Sequence, residues 1–425
     1  MKSATLSDTD RGTHFAENDN VNRELPMQPT TTLPPPTRAS RTAFPRVQAI
    51  DIVRGLVMVV MALDHVREFW NPTLIQPEDV SQTSVGLFLT RWVTHFCAPT
   101  FVFLSGTSVY FYALKQPSRG AVSRFLITRG LWLVVMEVLV VNLLLQWSYH
   151  YQFVLLQVIW AIGWSMVLLA GLIWLPRWLL TTLTVVVIGG HNLLPTIAVK
   201  TPADAALALL HNSPSLIPLP GLPPLLNAYT LVPWFAVMLA GYLIGPWFQL
   251  PLPDRQRRLR LAGIALLVLF VVLRGINVYG NATPWAVQPR GLTYTVLSFV
   301  NITKYPPALL FLCLTLGVAL LLLSSVETAT SRLSQWLRTF GQVPFFYYLL
   351  HLLLNSIGAA IWTSLAFGRP VDLSFTQAKD LPAEYHSSLL RAYVAWALLI
   401  LALYWPCRWY RNFKQQHTYW WLSYL

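Results

Sequence analysis

Long apolar runs alternate with short polar connections along most of this chain. The runs fall at approximately 47–70, 88–114, 124–146, 153–175, 178–199, 228–249, 259–278, 304–325, 342–367 and 388–411. A helix needs about 20 apolar residues to cross a bilayer core. The pattern therefore predicts an all-α, polytopic membrane protein with about ten transmembrane helices. Residues 200–227 are too Pro-rich and broken to span (Pro214, Pro218, Pro220, Pro223, Pro224) and read either as an outer lid or as a plain connector. Residues 1–45 carry Thr30-Thr31-Thr32 and Pro34-Pro35-Pro36 with few large apolar side chains. Such a segment buries too little surface to offset its ordering entropy, which predicts a disordered cytoplasmic tail. It lacks the apolar core of a signal peptide, so the first helix must act as the membrane signal. The membrane domain then covers 46–415, and 416–425 form a short C-terminal tail.

Composition agrees with this reading: 55% of the residues are hydrophobic and 11% are charged, against about 25% charged in soluble domains. The net charge of +13 would suggest nucleic acid, but no basic stripe or reading module accompanies it. Instead Lys and Arg gather in alternate connections. Arg38, Arg41 and Arg46 precede the first helix, and Lys115, Arg119, Arg177, Arg255, Arg257, Arg258, Arg332, Arg338, Arg408 and Arg411 fall in later segments of the same side. The opposite side is poorer in cations, which predicts both ends in the cytoplasm. Cys97, Cys313 and Cys407 show no paired spacing, so neither a disulfide framework nor a metal site is expected.

Ionisable groups inside apolar runs are costly unless they are paired or line a wet cavity. The first helix holds Asp51, Arg54, Asp64, His65 and Arg67. Arg54 and His65 are eleven residues apart, so they return to nearly one face with a rise of roughly 16 Å. Asp51 stands three residues before Arg54 and can pair with it. Spacing alone leaves two readings open: a polar stripe built for function, or a snorkelling arginine and a histidine bonded between helices. Glu137 and His351 fall near mid-membrane, and His95, Arg274, Lys304 and Tyr305 nearer the outer surface. Together they predict a hydrated cavity opening outward. Asp64 lies about 100° away from His65 on the helix and pairs more naturally with Arg67. Glu137 either orients His65 or neutralises an arginine. Ser105-Gly106 reads first as a small-residue helix contact. No Walker loop, dinucleotide motif, zinc-protease motif or nucleophile elbow is present.

Arg46-Val47-Gln48-Ala49-Ile50-Asp51-Ile52-Val53-Arg54-Gly55, followed by Met61-Ala62-Leu63-Asp64-His65, resembles the opening helix of bacterial members of the heparan-alpha-glucosaminide N-acetyltransferase catalytic-domain family. The Arg54–His65 spacing is similar to the arginine–histidine motif of acyltransferase family 3 membrane enzymes. Phe101 to Gly106 resembles their second signature. Leu231-Val232-Pro233-Trp234-Phe235, Lys304-Tyr305-Pro306-Pro307 and Phe340 to Tyr348 with His351 resemble later motifs of the bacterial family, so the likeness extends over approximately 46–412. One departure is that Asp64-His65 replaces the pattern of the animal lysosomal enzymes, so the family name is not read as an activity on heparan sulfate.

The resemblance implies a bacterial inner-membrane acyltransferase. It would take acetyl-CoA or another acyl-CoA from the cytoplasm and pass the acyl group to a sugar amine or hydroxyl outside. His65 is then the catalytic residue, with Glu137 and Asp64 as candidate carboxylates. Arg54, Asp51, Arg124, Arg129 and Ser105 are candidates for the donor route. His95, Arg274, Lys304, Tyr305 and His351 are candidates for the acceptor or oxyanion. No metal is implied. The competing expectation is a transporter or flippase, which also places ionisable groups at mid-membrane.

Overall fold

A computed structural model describes residues 47–147, 151–374 and 381–423; the tail expected at 1–45 lies outside the described residues. A helix occupies each of the ten apolar runs. α1 (Gln48–Trp70) fills the first. α2 (Val85–Thr94) and α3 (Cys97–Ala113) share the second, with His95 at their joint. α4 (Arg119–Met136) continues through a π-helical turn at Glu137–Val141 into α5 (Asn142–Gln146). The strand β1 (Val154–Leu156) leads into α6 (Val158–Leu172), and α7 (Arg177–Gly190) follows. Next come α8 (Pro202–His211), the hairpin β2 (Ser215–Leu219) and β3 (Leu222–Asn227), and α9 (Leu231–Ile244). α10 (Leu252–Ile276), α11 (Leu292–Val300), α12 (Leu309–Ser325), α13 (Arg332–Gly341), α14 (Pro344–Phe367) and α15 (Leu389–Gln416) complete the order. Among the described residues, six segments are long and apolar enough to cross a membrane, and α6 and α12 are shorter apolar helices.

The bundle is centred on α1, which packs against α2, α3, α12, α13, α14 and α15. That position explains its charges: most of its residues, Asp51, Asp64 and Arg67 included, are shielded by neighbouring helices. α10 lies at the edge, with Leu261, Val268, Val271 and Val272 exposed, as expected of a face that lipid covers.

Helices approach closely where glycines face backbone. A Cβ at Gly55 would meet the Leu337 carbonyl, and one at Gly341 would meet the Asp51 carbonyl, so α1 and α13 touch main chain to main chain. Gly106 and Gly241 play the same part for α3 and α9, against Met238 and Phe103. Apolar helices in lipid gain little from hydrophobic contact with one another, so close packing at small residues must hold them.

The Pro-rich stretch 200–227, read from the sequence as an outer lid or a plain connector, holds α8 and a hairpin. β3 pairs antiparallel with β2 and parallel with β1, giving the strand order β1-β3-β2. The all-α class therefore carries a small sheet, which the prolines hid because they break both helical and alternating patterns. The C-terminal tail folds back as a 3-10 turn at Trp420–Ser423, burying Leu422 and placing Trp421 near Phe413 of α15.

Candidate functional site

The site is built between α1 and α14. His65 Nδ1 lies 2.7 Å from His351 Nε2. The ring centroids are 5.0 Å apart with an interplanar angle of 18°, so the imidazoles meet edge to edge and nearly coplanar. His351 Nδ1 lies 3.2 Å from the Tyr347 carbonyl oxygen. A carbonyl only accepts, so His351 carries its proton on Nδ1 and offers a lone pair at Nε2. His65 must then donate from Nδ1, which leaves its own Nε2 as the lone-pair nitrogen. A chain of two bonds thus fixes the tautomer of His65.

Other bonds from α14 hold α1 in register. The Tyr347 hydroxyl donates to the Met58 carbonyl. The Asn355 amide donates to the His65 carbonyl, and its oxygen accepts from Trp70 Nε1 at 3.0 Å. Tyr347, His351 and Asn355 recur every four residues, so one face of α14 reads along α1. α14 begins with Pro344 in its first turn, where the missing N–H costs nothing.

Below the histidine pair lies a cavity of about 330 Å³. Arg54, Ser108 and Arg129 supply polar groups, while Phe101, Leu133, Ile162 and Met166 form apolar walls. Arg54 Nη2 donates to Ser108 Oγ at 2.8 Å, Nη1 donates to the Gly341 carbonyl at 3.2 Å, and Asp51 Oδ1 lies 3.7 Å away. Gln342 Nε2 donates to Asp51 Oδ2. The glycine contact between α1 and α13 therefore also places the Arg54 guanidinium. Met61 is the last α1 residue on the cavity wall, and His65 stands one turn beyond it. Tyr348 bears the same relation to His351, and Leu133 to Glu137. The histidines and Glu137 thus stand at the end of the cavity remote from Arg54.

On the far side of His65 is an ionic network. Arg91 Nη1 reaches both oxygens of Asp64, at 2.8 and 2.6 Å, and Arg91 Nε donates to Glu78 at 2.7 Å. Arg67 lies 3.2 Å and Lys304 Nζ 3.9 Å from Asp64. His95 Nε2 stands 3.5 Å from Glu78, close but not aligned for a hydrogen bond. Glu78 belongs to the connection between α1 and α2. Burial alone would raise its carboxyl, but contact with His95 and Arg91 outweighs that and holds it well below the ordinary carboxylate range. Lys304 Nζ also lies 5.1 Å from the Tyr305 ring centroid.

Several sequence expectations change. Glu137 neither orients His65 nor neutralises an arginine in the bonds of this structure. One of its oxygens accepts from the Gln157 N–H at 2.8 Å, and the other has no hydrogen-bond partner among the described residues. Glu137 opens a π-helical turn that runs to Val141. His351, expected on the acceptor side, is instead the partner of His65. Asp64 meets Arg67, the pairing its spacing suggested, and Arg91 as well, so it is not the carboxylate that orients the imidazole. Arg274 is withdrawn from any ligand: its guanidinium donates to the carbonyls of Phe299, Thr283, Ser298 and Asn301. Arg124 is exposed and off the cavity wall, whereas Arg129 and Ser105 line it. Ser105 Oγ bonds the Phe101 carbonyl, and Gly106 makes the helix contact. The sequence reading missed Tyr347, Asn355, Ser108, Glu78 and the bonding role of Arg91. The four-residue recurrence on α14 was the signal that would have found the first two.

A bundle of apolar helices with a histidine pair and paired charges buried inside it defines an integral membrane protein with a polar interior site. Residues 46–281 match the family described as heparan-alpha-glucosaminide N-acetyltransferase, catalytic. The match covers more than half of the chain, which belongs to that family and so to a group of membrane acetyltransferases. It includes α1 and the ionic network around Asp64 up to Glu78 and Arg91, and it ends before Lys304 and the α14 residues. No curated protein matches the chain.

Proposed function

We propose that this protein is a ten-span acyltransferase with both ends in the cytoplasm. It carries an acetyl or other acyl group from cytoplasmic acyl-CoA to an amine or hydroxyl of a sugar on the outer face. The observation that carries this reading is the 2.7 Å contact between His65 and His351, one turn beyond the wall of a cavity that Arg54 lines.

The physical problem is that CoA is too charged to enter hydrocarbon, whereas its acyl end can follow an arm through an apolar passage. Arg54 and Arg129 suit the phosphates as charge-assisted partners. The walls of Phe101, Leu133, Ile162 and Met166 suit the arm. At the far end His65 Nε2 takes the proton of the acceptor amine or hydroxyl as its nitrogen or oxygen attacks the thioester carbon. The new N–C or O–C bond forms, the C–S bond breaks, and the proton passes from His65 to the departing thiolate. His351 acts by position, holding the proton of His65 on Nδ1. Tyr348 lines the cavity, and its buried hydroxyl, which has no hydrogen-bond partner among the described residues, would serve as donor to the developing oxyanion. Asp64, Arg91, Lys304 and Tyr305 form the outward wall against which an acceptor would rest.

The test is mass spectrometry of envelope glycans from cells with and without the protein. Loss of an acyl mass in its absence is the expected result. Identical glycans, together with no acyl-CoA consumption by the purified protein, would overturn the reading in favour of transport.

A further inference from the structure

A second cavity, of about 380 Å³, lies where α3 and α9 end and α4 and α7 begin. Tyr110, Gln116, Ser118, Arg119, Arg177 and Tyr242 give it polar groups, and among the described residues no Asp or Glu lines it. It uses a different face of α3 from the first cavity, which meets Ser105, Ser108 and Tyr112. Arg119 Nη1 donates to the Trp174 carbonyl at 3.4 Å, and Arg177 Nη2 to the Leu243 carbonyl at 3.0 Å. Among the described residues one bond each holds the two guanidinium heads, and further N–H groups of each fork remain for a ligand. α7 starts after Pro176 without a side-chain cap, so its first N–H groups add to the positive field.

The surroundings of the cavity indicate its ligand. Trp174 and Trp178 flank the Pro176–Arg177 turn and are 56% and 69% exposed. Exposed indoles beside basic residues at helix ends mark the level of lipid headgroups. Leu114, Val122 and Leu175 line the same cavity and suit the first methylenes of an acyl chain. We propose that this cavity is a binding site for an anionic phospholipid, with the phosphate held between Arg119 and Arg177. A phosphate takes paired N–H donors from arginine forks, and a neighbouring carboxylate would repel it. The site stands apart from the acyl-transfer reading and is tested by binding alone.

The full chain is reconstituted in nanodiscs of phosphatidylglycerol and phosphatidylcholine, then released for native mass spectrometry. Wild-type protein should retain one phosphatidylglycerol with a preference of about tenfold, falling to near parity in R119Q/R177Q, since two charge-assisted contacts are lost. Both arginines also hold helix-end carbonyls, so a second measurement leaves them in place. A photoreactive phosphatidylglycerol on wild-type protein should label residues within 110–122 and 173–180. Equal retention of phosphatidylcholine, an unchanged preference in folded double variant, or labelling confined to other segments would each overturn the proposal. Displacement of the lipid by free CoA or inorganic phosphate would also overturn it, by assigning the cavity to a soluble phosphate.

Discussion

Replacing His351 with Leu removes the acceptor for the His65 Nδ1–H and keeps an apolar side chain in a fully buried position. A buried donor left without its partner costs about 1–3 kcal/mol. His65 can escape that cost by moving its proton to Nε2, but the nitrogen needed as base then has no lone pair. Either way the productive form becomes scarce by the same free energy. At about 1.4 kcal/mol per tenfold in rate, the loss of kcat is about 5- to 140-fold. The KM for acyl-CoA should change little, because Arg54 and the cavity walls are untouched. His351→Gln offers a carbonyl oxygen to the same N–H and should stay within about fivefold of wild type if that bond is what matters. The assay is CoA thiol release by purified protein in liposomes, with a melting curve to show that each variant is folded. Wild-type turnover by folded His351→Leu would refute the positioning role. Equal impairment of the Leu and Gln variants would refute the hydrogen bond as its cause.

Arg54→Gln should raise the KM for acyl-CoA about tenfold while kcat stays near wild type, since one charge-assisted partner is lost; an unchanged KM would remove Arg54 from the donor route. Arg274→Leu breaks four bonds to backbone carbonyls and should cost at least about 3 kcal/mol of stability. Thermal unfolding in detergent measures that loss, and activity per folded molecule should be retained. Gly341→Leu should collapse the α1–α13 contact, whereas Gly171→Ala, with open space around it, should express normally; equal expression of the two would contradict the close packing. Glu78 has its carboxyl lowered in the fold, so its stabilisation is present above the ordinary carboxylate range and disappears as pH falls below about 4. Melting temperature should therefore drop less steeply with acidification in Glu78→Gln than in wild type.

The sequence made the ten apolar segments legible because a bilayer demands length and apolarity in one continuous run, and both can be read residue by residue. Arg54 and His65 stood out for the same reason, as charges and an imidazole where hydrocarbon is expected. Their partners were less legible. Arg54 meets Gly341 and Ser108, and His65 meets His351, so each bond depends on how distant helices cross. Those crossings are set by glycine contacts that no helical period announces. Arg274 shows the opposite failure: its depth near the outer surface made it a candidate for the acceptor, but the chain that follows α10 folds back and takes its donors. Glu137 was placed by depth alone, and its bond to the Gln157 N–H depends on how the chain returns after α5, which depth does not reveal.

The account depends most on His65 Nε2 as the base that passes an acyl group onward. The direct measurement is consumption of radiolabelled acetyl-CoA by sealed proteoliposomes that contain an amino-sugar acceptor, comparing wild type with His65→Ala at equal folded protein. Wild type should release CoA and acetylate the sugar, and His65→Ala should do neither while still binding the donor. Wild-type transfer by His65→Ala would contradict the central claim.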